Sequence, residues 1–216
     1  MNSFLRWIFT LCIVYPLIWV WLGIRIYGRK KLPTKGPAII VANHNSHLDV
    51  LTLFSLFPLS TLIHVQPVAA ADYFLQNKAI AWFAIKVIGI IPVYRGAKHD
   101  NPLQSCVDAL DNNKIVIIFP EGTRGEPGEF SEIKSGIWHL SQQCPKVPIT
   151  PIYMHGLDRA MAKGQKIPIP FFVDVFIDEP LRYNEDKSTF KKLLLERFVK
   201  LKIQATNRQI LEFSKE

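Results

Sequence analysis

The chain has 216 residues, of which 49% are hydrophobic and 20% are charged. This composition excludes a largely disordered protein and fits one large domain or one domain with an appendage. Its three cysteines (Cys12, Cys106 and Cys144) are too few and too scattered for a disulfide framework or a CxxC zinc site, so we expect reduced thiols. The formal net charge is +8, and its distribution indicates the class of partner more clearly than the total does.

Positive charge is concentrated at the two ends of the chain. Residues 1–48 carry six basic residues and no acidic one, and residues 182–216 carry nine basic and five acidic residues. Because the N-terminal charges flank an apolar stretch, they favour an anionic membrane surface as the partner. We expect no nucleic-acid partner, since no recognised nucleic-acid-binding motif accompanies the charge.

The N-terminal segment contains an uncharged stretch of 18 residues from Trp7 to Ile24. As a helix it would extend about 27 Å, slightly less than a bilayer core of about 30 Å. Pro16 lies in its middle and is expected to kink or break the helix. Two interpretations stay open: one tilted span, or two short helices embedded in a single leaflet.

Two other interpretations of this segment are disfavoured. A buried core helix fits poorly, because the basic run at 29–31 ends the apolar stretch abruptly. A cleaved signal peptide also fits poorly, because no small-residue cleavage site follows. We therefore expect residues 1–30 to form a membrane-associated helical segment and residues 31–216 to form one domain.

From residue 37 onward, short apolar runs alternate with helix-compatible segments. The predicted strands are 38–42, 63–70, 90–94, 115–119, 148–153 and 172–177. The predicted helices are 48–57, 72–87 with Asp72 as its cap, 101–112, 133–143 and 187–213. This alternation predicts an α/β fold with a mixed, largely parallel sheet flanked by helices, preceded by the apolar N-terminal helical segment. The loop at 156–170 is long enough to be functional.

A polar cluster, Asn43-His44-Asn45-Ser46-His47-Leu48-Asp49, directly follows the first predicted strand. A histidine that takes a proton from a hydroxyl needs an acceptor on its other ring nitrogen, and a carboxylate such as Asp49 supplies one. His44 and Asp49 therefore suit general-base activation of an alcohol. Two alternatives stay open here: Ser46 and Asp49 match a helix capping box, and His44, His47 and Asp49 could ligate zinc.

Three further blocks lie at or beside apolar strands. Phe119-Pro120-Glu121-Gly122-Thr123-Arg124 could hold a phosphate, since Arg124 can pair with it and the N–H groups of the turn can point at it. The strand starting at Gly89 ends in Arg95, which could converge with Arg124 on the same phosphate. The block at 147–151 is bracketed by prolines and carries no chemistry of its own. A surface ion pair, a solvated arginine and a core edge strand are the structural alternatives for these blocks.

These four blocks, in this order, resemble the motifs of the glycerolipid acyltransferase family, typified by the 1-acylglycerol-3-phosphate acyltransferases. Asn43, His44 and Asp49 match the family's NHxxxxD motif, and Gly89 with Arg95 matches its second motif. FPEGTR is present in full at 119–124, and the Val-Pro-Ile-x-Pro strand occupies 147–151. The resemblance covers about residues 30–180. The chain departs from the family at Pro92 and Tyr94, and it has alanine at 70 and 71 where the family often has a lysine, which leaves the acceptor headgroup open.

The resemblance implies transfer of a fatty acyl group from acyl-CoA or acyl-carrier protein to the free hydroxyl of 1-acylglycerol 3-phosphate, giving phosphatidate. In this family's pattern His44 is the general base and Asp49 orients it. Arg95, Glu121, Gly122, Thr123 and Arg124 are implied to bind the acceptor substrate. No cofactor and no metal are implied, because the acyl thioester is itself a substrate.

The implied partners are a lysophospholipid, an acyl thioester or acyl-carrier protein, and an anionic membrane surface. The implied location is the cell (inner) membrane, with the active site facing the cytoplasm. Three alternatives stay open: the same chemistry on glycerol 3-phosphate or another lysolipid, a non-catalytic membrane-binding protein, and a metal-dependent hydrolase.

Overall fold

A seven-stranded sheet forms the centre of the computed structural model, which describes residues 2–94, 101–123, 132–161, 165 and 167–213, with side chains up to residue 210. The strand order is β1-β7-β6-β2-β5-β3-β4. The strands are β1 (Ile24–Tyr27), β2 (Ala38–Ala42), β3 (Val65–Ala70), β4 (Ile91–Val93), β5 (Ile115–Ile118), β6 (Ile149–His155) and β7 (Val173–Ile177).

Five neighbouring strands of this sheet (β6, β2, β5, β3 and β4) are parallel to one another. β7 pairs antiparallel with β6, and β1 pairs parallel with β7. The predicted fold class, a mixed and largely parallel sheet flanked by helices, is therefore confirmed. The block at 147–151, for which a core edge strand was the alternative, leads into β6, which lies inside the sheet between β2 and β7.

The helices fill the connections between the strands. They are α1 (Ser3–Phe9), α2 (Asp49–Ser55), α3 (Leu59–Leu62), α4 (Ala71–Phe74), α5 (Lys78–Phe83), α6 (Gln104–Asp111), α7 (Gly136–Gln143), α8 (Leu157–Ala160) and α9 (Lys187–Phe213). π-Helical turns follow α1 at Thr10–Val14 and Pro16–Leu22 and follow α5 at Ala84–Ile88, and a 3-10 turn covers Arg29–Lys31.

The sheet buries two different cores, because alternate side chains of a strand point to opposite faces. Ile40 and Ala42 of β2 pack with the N-terminal helix and α2 on one face, here called the front face. Ile39 and Val41 pack with α6, α7 and α9 on the other, here called the back face. The N-terminal helix and α9 therefore lie on opposite sides of the sheet.

Of the two expected effects of Pro16, a break is not found. The N-terminal helix continues from Ser3 to Leu22, with π-helical turns at Thr10–Val14 and Pro16–Leu22. One predicted helix is wrong in detail. The predicted helix at 72–87 is divided, and its second part is capped by Asn77, not Asp72. The Asn77 side chain accepts hydrogen bonds from Ala79 N and Ile80 N.

One strand was not predicted. β1 (Ile24–Tyr27) lies within the basic stretch that the sequence assigned to the N-terminal segment, and it forms an edge strand beside β7. Arg25 is tolerated there because the buried carboxylate of Asp174 accepts two hydrogen bonds from its guanidinium, at 2.6 and 2.8 Å. The division of the chain at residue 30 stays a prediction.

Candidate active site

The loop between β2 and α2 brings His44 and Asp49 into direct contact. His44 Nδ1 lies 2.8 Å from Asp49 Oδ2. The His44 side chain is 23% exposed and that of Asp49 only 1%. A substrate can therefore reach the histidine, whereas the carboxylate can act only through it.

Three donors converge on the same oxygen of Asp49. Besides His44 Nδ1, the backbone N–H groups of Asn45 and Ser46 donate to Asp49 Oδ2 at 2.7 and 2.9 Å. Since a backbone N–H can only donate, this oxygen is an acceptor, which places the hydrogen of the His44 contact on Nδ1. The other ring nitrogen, Nε2, is then left with a lone pair for a substrate proton.

The capping alternative and the catalytic one do not exclude each other. Asp49 accepts from Ser46 N, and Ser46 Oγ accepts from Leu48 N at 3.3 Å, which is close to the reciprocal pattern of a capping box. Ser46 Oγ also donates to the carbonyl of Met161 at 3.0 Å. The start of α2 therefore holds Asp49 in place for His44.

Burial sets the electrostatics of Asp49. Loss of water around its side chain raises the pKa of Asp49 above the usual 3.8, and the contact with His44 and the N–H groups of Ser46 and Asn45 oppose that rise. Because little water screens it, the Asp49 carboxylate interacts strongly with the imidazole ring of His44 through electrostatic attraction.

The FPEGTR turn contacts the histidine from the neighbouring strand. The Phe119 ring stacks on the His44 ring, with centroids 4.3 Å apart and planes inclined by 24°. The buried Glu121 accepts a hydrogen bond from the backbone N–H of His44 through Oε1, at 3.1 Å. Because β2 and β5 are parallel neighbours, their carboxyl ends bring these two motifs together.

The predicted phosphate-binding turn is exposed where a ligand would meet it. Gly122 and Thr123 are both exposed, and Gly122 N donates to the Phe119 carbonyl at 3.1 Å, closing the turn. Gly122 has a φ of +73°, which favours glycine over residues with a side chain. The stem of Lys134 also lies beside the turn, since its Cγ would be 3.8 Å from a Cβ at Gly122, and its amine pairs with Glu132 at 3.3 Å.

Two predicted site residues cannot be placed. Arg95 and Arg124 lie outside the described residues. The strand that leads to Arg95 is β4. It pairs with β3 at the edge of the sheet, three positions from β2.

Asn43 has a structural role that the sequence analysis did not assign. Its buried side chain spans from β2 to β6, where Nδ2 donates to the Met154 carbonyl at 2.9 Å and Oδ1 accepts from Met154 N at 2.7 Å. The residue next to His44 is therefore fixed by two hydrogen bonds, which fixes the direction in which the histidine leaves the sheet. An amide at the end of a buried strand is the signal that could have indicated this.

We expect Asn43→Ala to lower the free energy of unfolding by about 2–6 kcal/mol, because it leaves two buried backbone groups of Met154 unsatisfied at about 1–3 kcal/mol each. Urea denaturation of the two proteins measures the difference. Asn45→Ala is the matched control, since Asn45 Oδ1 has no hydrogen-bond partner among the described residues. Equal losses in both variants would contradict the bridging role of Asn43.

The zinc alternative gains no support from the described part of the chain. No group of three or more His, Cys, Asp or Glu side chains that could hold a metal ion is found there. His47, its third candidate ligand, is exposed.

Comparison with known proteins matches the part of the chain that contains these residues. A family model described as Acyltransferase matches residues 23–155, a range that includes His44, Asp49 and the FPEGTR block. A chloroplastic 1-acyl-sn-glycerol-3-phosphate acyltransferase of Brassica napus is 30% identical over 163 residues, which are 68% of this chain and 44% of the relative. The alpha form of that enzyme in Ovis aries is 30% identical over 151 residues, 67% of this chain and 50% of the relative.

A solved structure shares the fold. The 1-acyl-sn-glycerophosphate acyltransferase PlsC of Thermotoga maritima aligns over 87% of this chain and 74% of its own, with a TM-score of 0.70 and 21% identity. The chain spans about half the length of the curated relatives it matches.

Proposed function

The chain belongs to the acyltransferase family, since that family's model matches more than half of its residues, and on this premise we propose that it is a membrane-associated enzyme that makes phosphatidate. The proposed reaction transfers a fatty acyl group from acyl-CoA or acyl-carrier protein to the free hydroxyl of 1-acylglycerol 3-phosphate. The observation that carries the proposal is the 2.8 Å contact between His44 Nδ1 and the buried carboxylate of Asp49.

In the proposed reaction His44 Nε2 accepts the proton of the acceptor hydroxyl as its oxygen attacks the thioester carbonyl. The resulting tetrahedral intermediate collapses, the carbon–sulfur bond breaks, and the proton on His44 passes to the departing thiolate. An ester and a free thiol are the products, so atoms and charge balance without a further reactant. Asp49 holds the Nδ1–H tautomer and stabilises the imidazolium that forms in between.

The cysteines support direct attack by the hydroxyl. Cys106 and Cys144 are buried on the back face, and burial raises the pKa of both thiols, that of Cys106 to about 12. Cys12 lies on the N-terminal helix. Neither of the two buried thiols is placed to act as a thiolate nucleophile beside His44.

The acceptor's phosphate is proposed to bind at the FPEGTR turn. Gly122 and Thr123 offer an exposed turn next to His44. Arg95 and Arg124 are the further proposed phosphate ligands by their match to the family motifs. Glu121 is proposed to position the loop through the His44 N–H, since its carboxylate is buried there.

The N-terminal helix, Ser3–Leu22, is the proposed membrane anchor. Among the described residues it is the one helix long and apolar enough to cross a membrane by length and composition, with a mean hydropathy of 1.8. Aromatic and aliphatic side chains along it stay exposed: Phe4, Trp7, Ile8, Leu11, Trp19 and Trp21. Tryptophan favours the boundary between headgroups and acyl chains.

Contacts at both ends of this helix favour insertion into one leaflet over a span. Near its start, Asn2 N donates to the Lys86 carbonyl at 2.7 Å, and the buried Arg6 donates to the Val65 carbonyl at 2.7 Å. Near its end, Trp21 Nε1 donates to the Pro168 carbonyl at 3.1 Å. A helix held by one domain at both ends keeps both ends on the same side of a bilayer.

The proposed location is the cytoplasmic leaflet of the cell (inner) membrane. Arg29 and Lys30 are exposed just after the helix, where anionic headgroups would attract them. A site at this surface meets an amphiphilic acceptor without extracting it into water, and it faces the compartment that contains acyl thioesters.

The function is tested with purified protein in lipid vesicles, a panel of lysolipids and glycerol 3-phosphate, and mass spectrometry of the products. Each acceptor is offered with acyl-CoA and, separately, with acyl-carrier protein. We expect phosphatidate from 1-acylglycerol 3-phosphate to be the fastest product. A faster reaction with another acceptor would show that the proposed headgroup is wrong. If neither donor acylates any acceptor, the proposed acyltransferase function is overturned.

A further inference from the structure

The short helix α5 (Lys78–Phe83) exposes its apolar side chains to an unusual degree. None of its residues is buried, and Ile80 and Trp82 are 56% and 53% exposed. The π-helical turn that follows, Ala84–Ile88, buries Ala84 and Val87 and so anchors the helix to the domain. An exposed apolar patch on a well-anchored element indicates an interaction surface.

This patch is continuous with the exposed side of the N-terminal helix. The Phe83 ring packs edge-on against Phe9, with centroids 5.1 Å apart. Phe4 and Trp82 line one open hollow, together with the backbone-linked pair Asn2 and Lys86. Two segments that are distant in sequence therefore present their exposed aromatic side chains side by side.

The charges around this surface identify its occupant. The stretch from Lys78 to Ile88 contains two lysines, Lys78 and Lys86, and no acidic residue, and residues 1–48 contain none either. A second copy of the chain would bring like charges together. Anionic headgroups would neutralise the lysines while tryptophan and isoleucine enter the acyl boundary, as for interfacial amphipathic helices.

We propose that α5 is a second membrane-contacting segment, with Ile80 and Trp82 inserted into the same leaflet as the N-terminal helix. This rests on the membrane association proposed above and extends it to a part of the chain that the sequence did not predict as an anchor. Two points of contact would fix the tilt of the domain on the bilayer and hence the height of His44 above it.

The five tryptophans of the chain (Trp7, Trp19, Trp21, Trp82 and Trp138) provide the test. Trp138 lies on the back face and donates to the Asn184 carbonyl at 3.0 Å, so it is a built-in control. Full-length variants that keep one tryptophan, with phenylalanine at the other four, are bound to anionic vesicles whose acyl chains carry bromine. We expect the fluorescence of Trp82 to be quenched as strongly as that of Trp7, with Trp138 unchanged.

Each outcome of the quenching experiment is decisive. Quenching of Trp7 without Trp82 overturns the role of α5 and leaves the N-terminal anchor standing. No quenching at Trp7, Trp19, Trp21 or Trp82 overturns the membrane association itself. Quenching at Trp138 equal to that at Trp82 places the bilayer on another surface and also overturns the proposal.

A charge substitution gives a second readout. Trp82→Glu should weaken binding to anionic vesicles roughly 10-fold in flotation assays, because it removes an inserted side chain and adds repulsion. Ile203→Glu is the matched control, since Ile203 is an equally exposed apolar residue, at 53%, on α9 of the back face. Circular dichroism confirms that both variants fold, and equal binding by the two variants would contradict the proposal.

Discussion

Replacement of His44 by alanine should lower kcat roughly 10³-fold, which corresponds to about 4 kcal/mol of transition-state free energy, with little change in KM. The reason is that the hydroxyl then loses the only base that the described part of the site places next to a buried carboxylate. The fold should survive, because the His44 side chain is partly exposed, at 23%, and its backbone N–H still donates to Glu121.

His47→Ala is the matched control for this substitution. His47 lies in the same loop and is exposed, so its removal tests whether any histidine near α2 is needed. We expect a near-normal rate from His47→Ala in the acylation assay. A His44→Ala enzyme that keeps its rate would contradict general-base catalysis by this residue, and a large loss in the His47 variant would revive a shared role for both histidines.

The fold was largely predictable because the buried parallel strands consist of uniformly apolar residues. β2 (Ala38–Ala42) and β5 (Ile115–Ile118) are buried on both faces, and nothing else in the sequence competes with that pattern. β1 escaped prediction because Arg25 interrupts its apolar pattern, and the carboxylate that compensates for it, on Asp174, lies 149 positions away in the chain. The local pattern of apolar residues contains no information about two residues so far apart in the chain.

In the candidate site, too, the local features were predictable and the long-range contacts were not. The meeting of His44 with Asp49 was predicted, because the two residues lie in one strand-to-helix turn and match a motif of the family that the chain resembles. The hydrogen bond from His44 N to Glu121, and the Asn43 bridge to Met154, were not, because each depends on how neighbouring strands are ordered in the sheet. Strand order is a long-range property that the motifs themselves do not contain.

Asp49→Asn should lower kcat roughly 10³–10⁴-fold, an effect as large as that of losing the base. An amide at this position keeps its oxygen toward the N–H groups of Asn45 and Ser46 and toward His44 Nδ1, but it carries no negative charge to stabilise the imidazolium that forms in the reaction. Because His44 and Asp49 act as a unit, the double variant should be about as slow as either single one. Additive losses in the double variant would show that the two residues contribute independently.

The same substitution should leave the free energy of unfolding at neutral pH unchanged or raise it. Burial raises the pKa of Asp49 above 3.8, so the folded protein keeps the proton to a higher pH than the unfolded chain does. The wild-type protein therefore loses stability as the pH rises above 3.8, and Asp49→Asn lacks this loss.

Urea denaturation between about pH 4 and pH 7 measures this difference in stability, with the exposed Asp72→Asn as control. We expect the stability of Asp49→Asn relative to wild type to increase with pH, while Asp72→Asn shows no such trend. If this relative stability instead decreases with pH, the hydrogen bonds to Asp49 lower its pKa more than burial raises it. If the increase is found together with the loss of kcat, the buried carboxylate is maintained at a cost to the fold, which is the expectation for a group that serves the reaction and not the core.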